Sequence, residues 1–263
     1  MDIIGLAWNA IILQPMLNGL LLLYQLLFHN LTLTIVVFTI LTRVITYPLT
    51  YQQQKSTKKL TELQQSDGWK KMQEKYAKDK EKLAQEQMKL YQAAGVNPLG
   101  GCLPMLIQFP ILIGLYQAIT RAMAATPIGL LDFYQHIYKF LPNVASLIPL
   151  DNRFVWLNLG LPDPYYIMPI LVVATTWIQS KVMTPPSADP QAAQMSQSMA
   201  LTMPLMIGWM SLNFPSGLSI YWVIGNVASI VQYGLTTPLN WKNILSFGPP
   251  PAPAPAKAAR RKR

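Results

Sequence analysis

Charge is scarce in this chain. Aspartate, glutamate, lysine and arginine together make up 12% of its 263 residues, about half the 25% usual in soluble domains. So few charges cannot cover the surface of a 29.6 kDa soluble globule. There is one cysteine, Cys102, which excludes an intramolecular disulfide and says nothing about redox compartment. The two histidines, His29 and His136, stand far apart with no cysteine or carboxylate cluster beside them, so no metal site is expected. No Ser/His/Asp set, carboxylate pair or phosphate loop occurs at catalytic spacing. The chain is therefore expected to be neither an enzyme nor a cofactor binder. It also shows no internal repeat, which weighs against a secondary transporter built of inverted halves.

What is abundant is apolar sequence, 51% of the chain at a mean hydropathy of only +0.24. Long apolar segments must be averaged with a polar one. Five runs are long enough to cross about 30 Å of hydrocarbon at about 1.5 Å per residue: 31–50, 103–124, 165–183, 198–214 and 217–238. The expected fold is all-α and polytopic. Pro204 is expected to kink the fourth run, and Pro215-Ser216 to make a tight hairpin between the last two. Within residues 1–30 the apolar pattern is broken by Asn9, Gln14, Pro15, Asn18 and Gln25. A helix from about 15 to 28 lying in the membrane interface, with Pro15 in its first turn, is the favoured reading over a sixth span. A cleaved signal peptide is disfavoured, since no basic segment precedes the apolar run and no small-residue cleavage site follows it.

Residues 51–98 are a different material, with ten lysines and a helical spacing of Leu60, Leu63, Met72, Tyr76, Leu83 and Leu90. They read as two antiparallel helices turning near Ala77 to Asp79, with Asp79 as N-cap of the second and Gly95 as its stop. Asp67-Gly68 is expected to bend the first. The loop 125–164 mixes five prolines with apolar residues such as Phe133, Tyr134, Phe154 and Trp156, as a segment packed along a membrane surface would. Residues 184–197 read as a short polar loop, and 239–263, ending in Pro/Ala-rich and basic sequence, as a disordered tail. Five spans place the lysine-rich segment, Lys181 and six basic residues of the tail on one side, seventeen in all, against Lys139 and Arg153 on the other. By the positive-inside rule the hairpin and C-terminus face the cytoplasm and the N-terminus lies outside.

Arg43 is the exception to this sorting. It lies twelve residues into the first run, about 18 Å from its outer end and past the midplane. An arginine at that depth costs about 2.5–3.5 kcal/mol on insertion scales, partly recovered if the side chain snorkels to the headgroups. The other reading is a water-containing cavity lined by Gln108, Gln117, Gln179, Asn226 and Gln232 with Tyr221 and Trp222 beside them. Any of these amides could instead be spent on a helix–helix hydrogen bond. None of the eleven acidic residues falls in an apolar run, so a counter-charge would have to come from a visiting molecule.

Three stretches, ILTRVITYPLTYQQQKS, KLYQAAGVNPLGGCLPMLIQFPILIGLYQAI and FPSGLSIYWVIGNVASIVQ, resemble the YidC/Oxa/Alb family of membrane protein insertases, over about residues 15 to 240. The resemblance is to the short bacterial type, without the large extracytoplasmic domain and extra first span. It implies a five-helix core with a groove open to cytoplasm and lipid, closed to the outside, in the bacterial plasma membrane. It carries the groove arginine onto Arg43, from the TRxxxxPL pattern, and groove-lining positions onto Gln179 and Trp222. By the same resemblance, nascent membrane proteins are the clients and no cofactor is needed. The hairpin, with Lys58, Lys59, Lys70, Lys71, Lys75, Lys78, Lys80 and Lys82, would meet clients, the Sec translocon or the signal recognition particle pathway. Asp67-Gly68-Trp69 departs from the family's uninterrupted helix. Leu99-Gly-Gly-Cys102 imitates a lipobox, but it follows a complete span and is a false match. A small-anion or solute transporter or channel is the alternative, disfavoured because the outer halves of the spans are mostly apolar. A scaffold that only recruits partners would leave Arg43 without a role.

The basic tail, Lys257, Arg260, Arg261, Lys262 and Arg263, would contact the ribosome or anionic lipid, with no sequence-specific nucleic-acid readout. Deleting 249–263 is expected to weaken ribosome co-sedimentation in a salt-sensitive way; unchanged binding at low salt would leave the tail as a lipid anchor.

Overall fold

The computed structural model describes residues 3–76, 79–95, 103–123, 126–139, 150–184 and 190–237, with 239, 241 and 244. The protein is mostly helical. A continuous helical run occupies Ile3–Leu26, as α1 (Ile3–Trp8), a wide π turn (Asn9–Leu13) and α2 (Gln14–Leu26). The expectation of a helix beginning at Pro15 set its start too late. Pro15 has no N–H and crowds the carbonyl four residues back, and the wide turn just ahead of it accommodates both without ending the helix.

The next helix, α3 (Leu31–Gln65), starts on an Asn30 cap whose side chain accepts from Leu33 N, and passes through Pro48. It thus joins the first apolar run to the first arm of the polar hairpin, with no helix boundary at 50/51. Among the described residues, 3–26 and α3 are long and apolar enough to cross a membrane. The first arm then breaks at Ser66, one residue before the expected bend at Asp67-Gly68. Ser66 is extended, and its hydroxyl caps α4 (Asp67–Lys75) by accepting from Trp69 N. The second arm, α5 (Lys80–Ala93), has Asp79 as N-cap, accepting from Lys82 N, and is followed by Gly95 at φ +64°. Both capping expectations hold. The expected turn residues Ala77 and Lys78 lie outside the described residues. The arms meet where buried Trp69 packs its ring 5.2 Å from that of Tyr91.

Helix α6 (Leu103–Ala122) matches the second apolar run. The described parts of the loop that follows hold α7 (Pro127–Gln135) and a two-residue antiparallel pair, β1 (Arg153–Phe154) and β2 (Leu157–Asn158). Helix α8 covers Ile167–Met183, close to its expected bounds. Helix α9 runs Pro190–Ser211, so much of the expected polar loop 184–197 is helical, and Pro204 sits inside an unbroken helix. After a short connection through Pro215, α10 spans Ser216–Gly234.

Helix α10 is the axis of the assembly, packing against α3 and α8 and, less extensively, α6 and α9. Against α3 it runs parallel in a constant register. Ile35 meets Gly217, Arg43 meets Gly225, Thr50 bonds Gln232 and Gln54 bonds Thr236, each pair 182 positions apart. The hydrophobic core is concentrated where α3 and α10 begin. There Leu17, Leu20, Ile35, Leu115, Phe133 and Leu159 join one buried cluster. The 3–26 run is tied to this loop end along its length. Trp8 Nε1 donates to Gln117 Oε1 at 2.8 Å, Asn18 Nδ2 donates to His136 O at 2.9 Å, and Tyr24 Oη accepts from Asp151 N at 2.9 Å. Toward the hairpin, α3 instead exposes Val44, Ile45, Tyr47 and Leu49.

Trp69→Ala removes the buried centre of the hairpin and is expected to weaken it by about 3–5 kcal/mol. Amide exchange should accelerate over 67–75 and 80–93 while α8 and α10 stay protected; unchanged hairpin exchange would contradict that packing role.

Candidate functional site

Arg43 projects from α3 toward α10 and is half-buried. Its approach depends on glycine. A Cβ on Gly225 would stand 2.9 Å from Arg43 Nη2, so the bare glycine leaves room for the tip of the guanidinium to lie against α10, and a larger residue would push that flexible tip aside. One turn earlier on α10 stands Tyr221, buried, its hydroxyl accepting from Gln108 Nε2 of α6 at 2.5 Å. Three helices thus converge on the cation. Among the described residues no ion pair involves it; the pairs present are Lys82–Asp79, Lys89–Glu86 and Arg121–Asp132, with His136 beside Asp132. The threonines around Arg43 are spent locally. Thr42 donates to Thr39 O and Thr46 to Thr42 O, the back-bonding that hydroxyls adopt inside apolar helices.

Not all of the expected lining residues reach this place. Gln117 is held at the loop end by Trp8. Asn226 donates to Thr175 Oγ1 and Thr176 Oγ1, at 3.0 and 2.9 Å, fastening α10 to α8. Gln232 donates to Thr50 Oγ1 and fastens α10 to α3. Trp222 faces an apolar slot formed with Val172, Ile207, Met210, Phe214 and Leu218. The reason is helical geometry: at 100° per residue, Ser219, Trp222 and Asn226 form a face about 110° from that of Tyr221, Gly225 and Gln232. Gln179 is half-buried on α8, one turn beyond the Asn226 contact toward the hairpin. The expected cavity therefore divides, with Tyr221 on the Arg43 side of α10, Gln108 bonded to Tyr221, and the other amides mostly consumed in helix pairing.

Several contributors escaped sequence reasoning. Gly225 was signalled only by a small residue in an apolar helix one turn after a tyrosine. Thr50 and Gln54 were signalled by nothing short of the α3–α10 register. Lys181, assigned by charge to the cytoplasmic edge, is buried with its ammonium 4.9 Å from the Trp177 ring centre. On the hairpin, Lys58, Lys59, Lys70, Lys71, Lys75 and Lys82 are exposed, and Lys89 is held above its ordinary value by its hydrogen bond to Glu86. Lys78, the side chain of Lys80 and the tail from Lys257 to Arg263 lie outside the described residues.

Residues 22–240 match the family model described as 60Kd inner membrane protein. The chain is 39% identical over 227 residues to the membrane protein insertase YidC of Syntrophus aciditrophicus, covering 86% of this chain and 36% of that one. It is 38% identical over 229 residues to the membrane protein insertase MisCA of Bacillus subtilis, covering 86% and 77%, and 41% identical over 210 to YidC 2 of Listeria innocua, covering 77% and 62%. It thus spans about a third of the first relative's length and most of the second's. A crystal structure described as an active YidC insertase with the first transmembrane domain resolved superposes with a TM-score of 0.53 at 25% identity. That match covers 80% of this chain and 42% of that one.

Proposed function

The chain belongs to the YidC/Oxa/Alb, or 60Kd inner membrane protein, family, and from that premise we propose that it inserts and helps fold integral membrane proteins through a groove beside Arg43. The observation that carries this reading is a half-buried cation among α3, α6 and α10 with no carboxylate paired to it among the described residues. In the bilayer the proposed spans are α3, α6, α8, α9 and α10, with the 3–26 run along the outer surface, the N-terminus outside and the C-terminus in the cytoplasm. Two features support a groove closed outside and open inside: the buried cluster sits at the loop end, and α3 is exposed toward the hairpin. A transporter would need a path through that cluster.

The mechanism is physical and requires no cofactor. Arg43 attracts an acidic residue in the part of the client destined for the outside, lowering the barrier to carrying that polar flank part-way across. The client's apolar segment then slides into lipid, driven by burial of about 25 cal/mol per Å². The exposed hairpin lysines offer an electrostatic landing site for clients, the Sec translocon or the signal recognition particle pathway. The basic tail offers one for the ribosome or anionic lipids.

In reconstituted vesicles, Arg43→Ala is expected to slow insertion of single-span clients with acidic outer flanks on the order of tenfold, equivalent to about 1.4 kcal/mol of barrier. Arg43→Lys should retain most of the rate. Equal insertion by Arg43→Ala and the natural chain would refute charge capture for such clients.

A further inference from the structure

Around Arg43 the structure sets out hydrogen-bond donors without acceptors. Gln108 Nε2 donates to Tyr221 Oη, and a phenol that accepts an amide hydrogen along one lone pair directs its own O–H elsewhere. Among the described residues nothing accepts from that O–H, although the Tyr221 side chain is buried. A buried donor without a partner is uncommon in native proteins and calls for an explanation. The guanidinium lies one helical turn along the same face of α10, in the space left by Gly225. It too has no hydrogen-bond acceptor among the described residues. Two unspent donor groups from different helices therefore meet at one face of α10, the phenol held in orientation by Gln108 of α6.

We propose that Tyr221 and Arg43 form a clamp specific for carboxylates, with Gln108 as the residue that positions the phenol. This rests on the insertase reading above and adds to it a chemical class and a second contact residue. A carboxylate presents only acceptors, about four lone-pair directions on two oxygens. One or both oxygens take guanidinium N–H groups while one also takes the Tyr221 O–H. An amide of the same shape brings an NH₂ that faces the donors of Arg43, so the clamp discriminates Asp from Asn by unpaired donors as well as by charge. That is the stronger form of discrimination, since a site built for hydrogen bonds leaves its own groups unpaired when the partner is wrong. The single arginine supplies attraction at a distance; the tyrosine makes the contact selective for a side chain that carries two acceptor oxygens.

The test uses the full chain in vesicles with two clients that differ only by Asp or Asn in the outer flank, and reads the ratio of their insertion rates. Tyr221→Phe keeps the ring and removes the O–H. It is expected to lower the Asp-client rate three- to tenfold and the Asn-client rate by less, so that the Asp/Asn ratio falls. In an Arg43→Ala background the same substitution should add little, because both residues serve one carboxylate. Gln108→Leu should lower the Asp/Asn ratio as well, a quantity that loose packing alone does not move because both clients use the same bundle. Equal slowing of both clients by Tyr221→Phe would make Tyr221 a packing residue and overturn the clamp. An unchanged ratio in Tyr221→Phe, with the ratio lost in Arg43→Ala, would overturn the clamp and leave charge capture standing. A ratio unmoved by Arg43→Ala would overturn both.

Discussion

A guanidinium inside an apolar bundle must be solvated by something, and much of the arrangement of these helices follows from that need. Removing a charge from water is unfavourable by far more than one hydrogen bond returns. Among the described residues no carboxylate neutralises Arg43. The surrounding helices offer an open glycine face on α10 and a tyrosine oriented by α6, and they leave the cation half-exposed. The α3–α10 register, held by amide–hydroxyl bonds toward the hairpin and by buried aliphatic packing at the loop end, keeps that geometry along the whole contact.

The same constraint explains the asymmetry between the two ends. In the proposed groove the cation would be solvated from the hairpin side alone, with the loop side dry. Among the described residues, the 3–26 run, α7 and the β1–β2 segment pack together at the loop end. The chain after β2 docks on the start of α10 through Ser216 N to Leu161 O and Gly217 N to Leu159 O, at 2.8 and 3.0 Å. The hairpin end is held by a few polar bonds and by one aromatic contact between α4 and α5. Extensive buried packing at one end and few contacts at the other are what the proposed one-sided groove would require.

Much of the fold was legible because it rests on one-dimensional signals. Apolar run length located α6, α8 and α10 to within a few residues, and cap chemistry placed Asp79 and Gly95. The departures arise where tertiary context overrides local punctuation. Pro15 and Pro48 look like helix ends, yet both sit inside helices, because a wide turn or a single lost bond is tolerated when neighbours pack against the segment. Of the candidate site, Arg43 could be read directly, since an arginine in an apolar run is conspicuous. Its partners could not, because the seven polar or aromatic candidates look equivalent in a list. Only the direction of each side chain around α10 separates Tyr221, beside the cation, from Trp222 and Asn226, which serve the contact with α8 and α9.

Whether clients pass beside Arg43 within the bundle can be read by site-specific photocrosslinking from positions 43 and 179 to a stalled nascent single-span protein. Strong adducts are expected from position 43 when the client's acidic flank has just emerged, weaker ones from 179, and none from a control at Ile170 on α8, which is 65% exposed. Equal adducts at 43 and 170, or none at 43 through every stall length, would contradict passage beside Arg43.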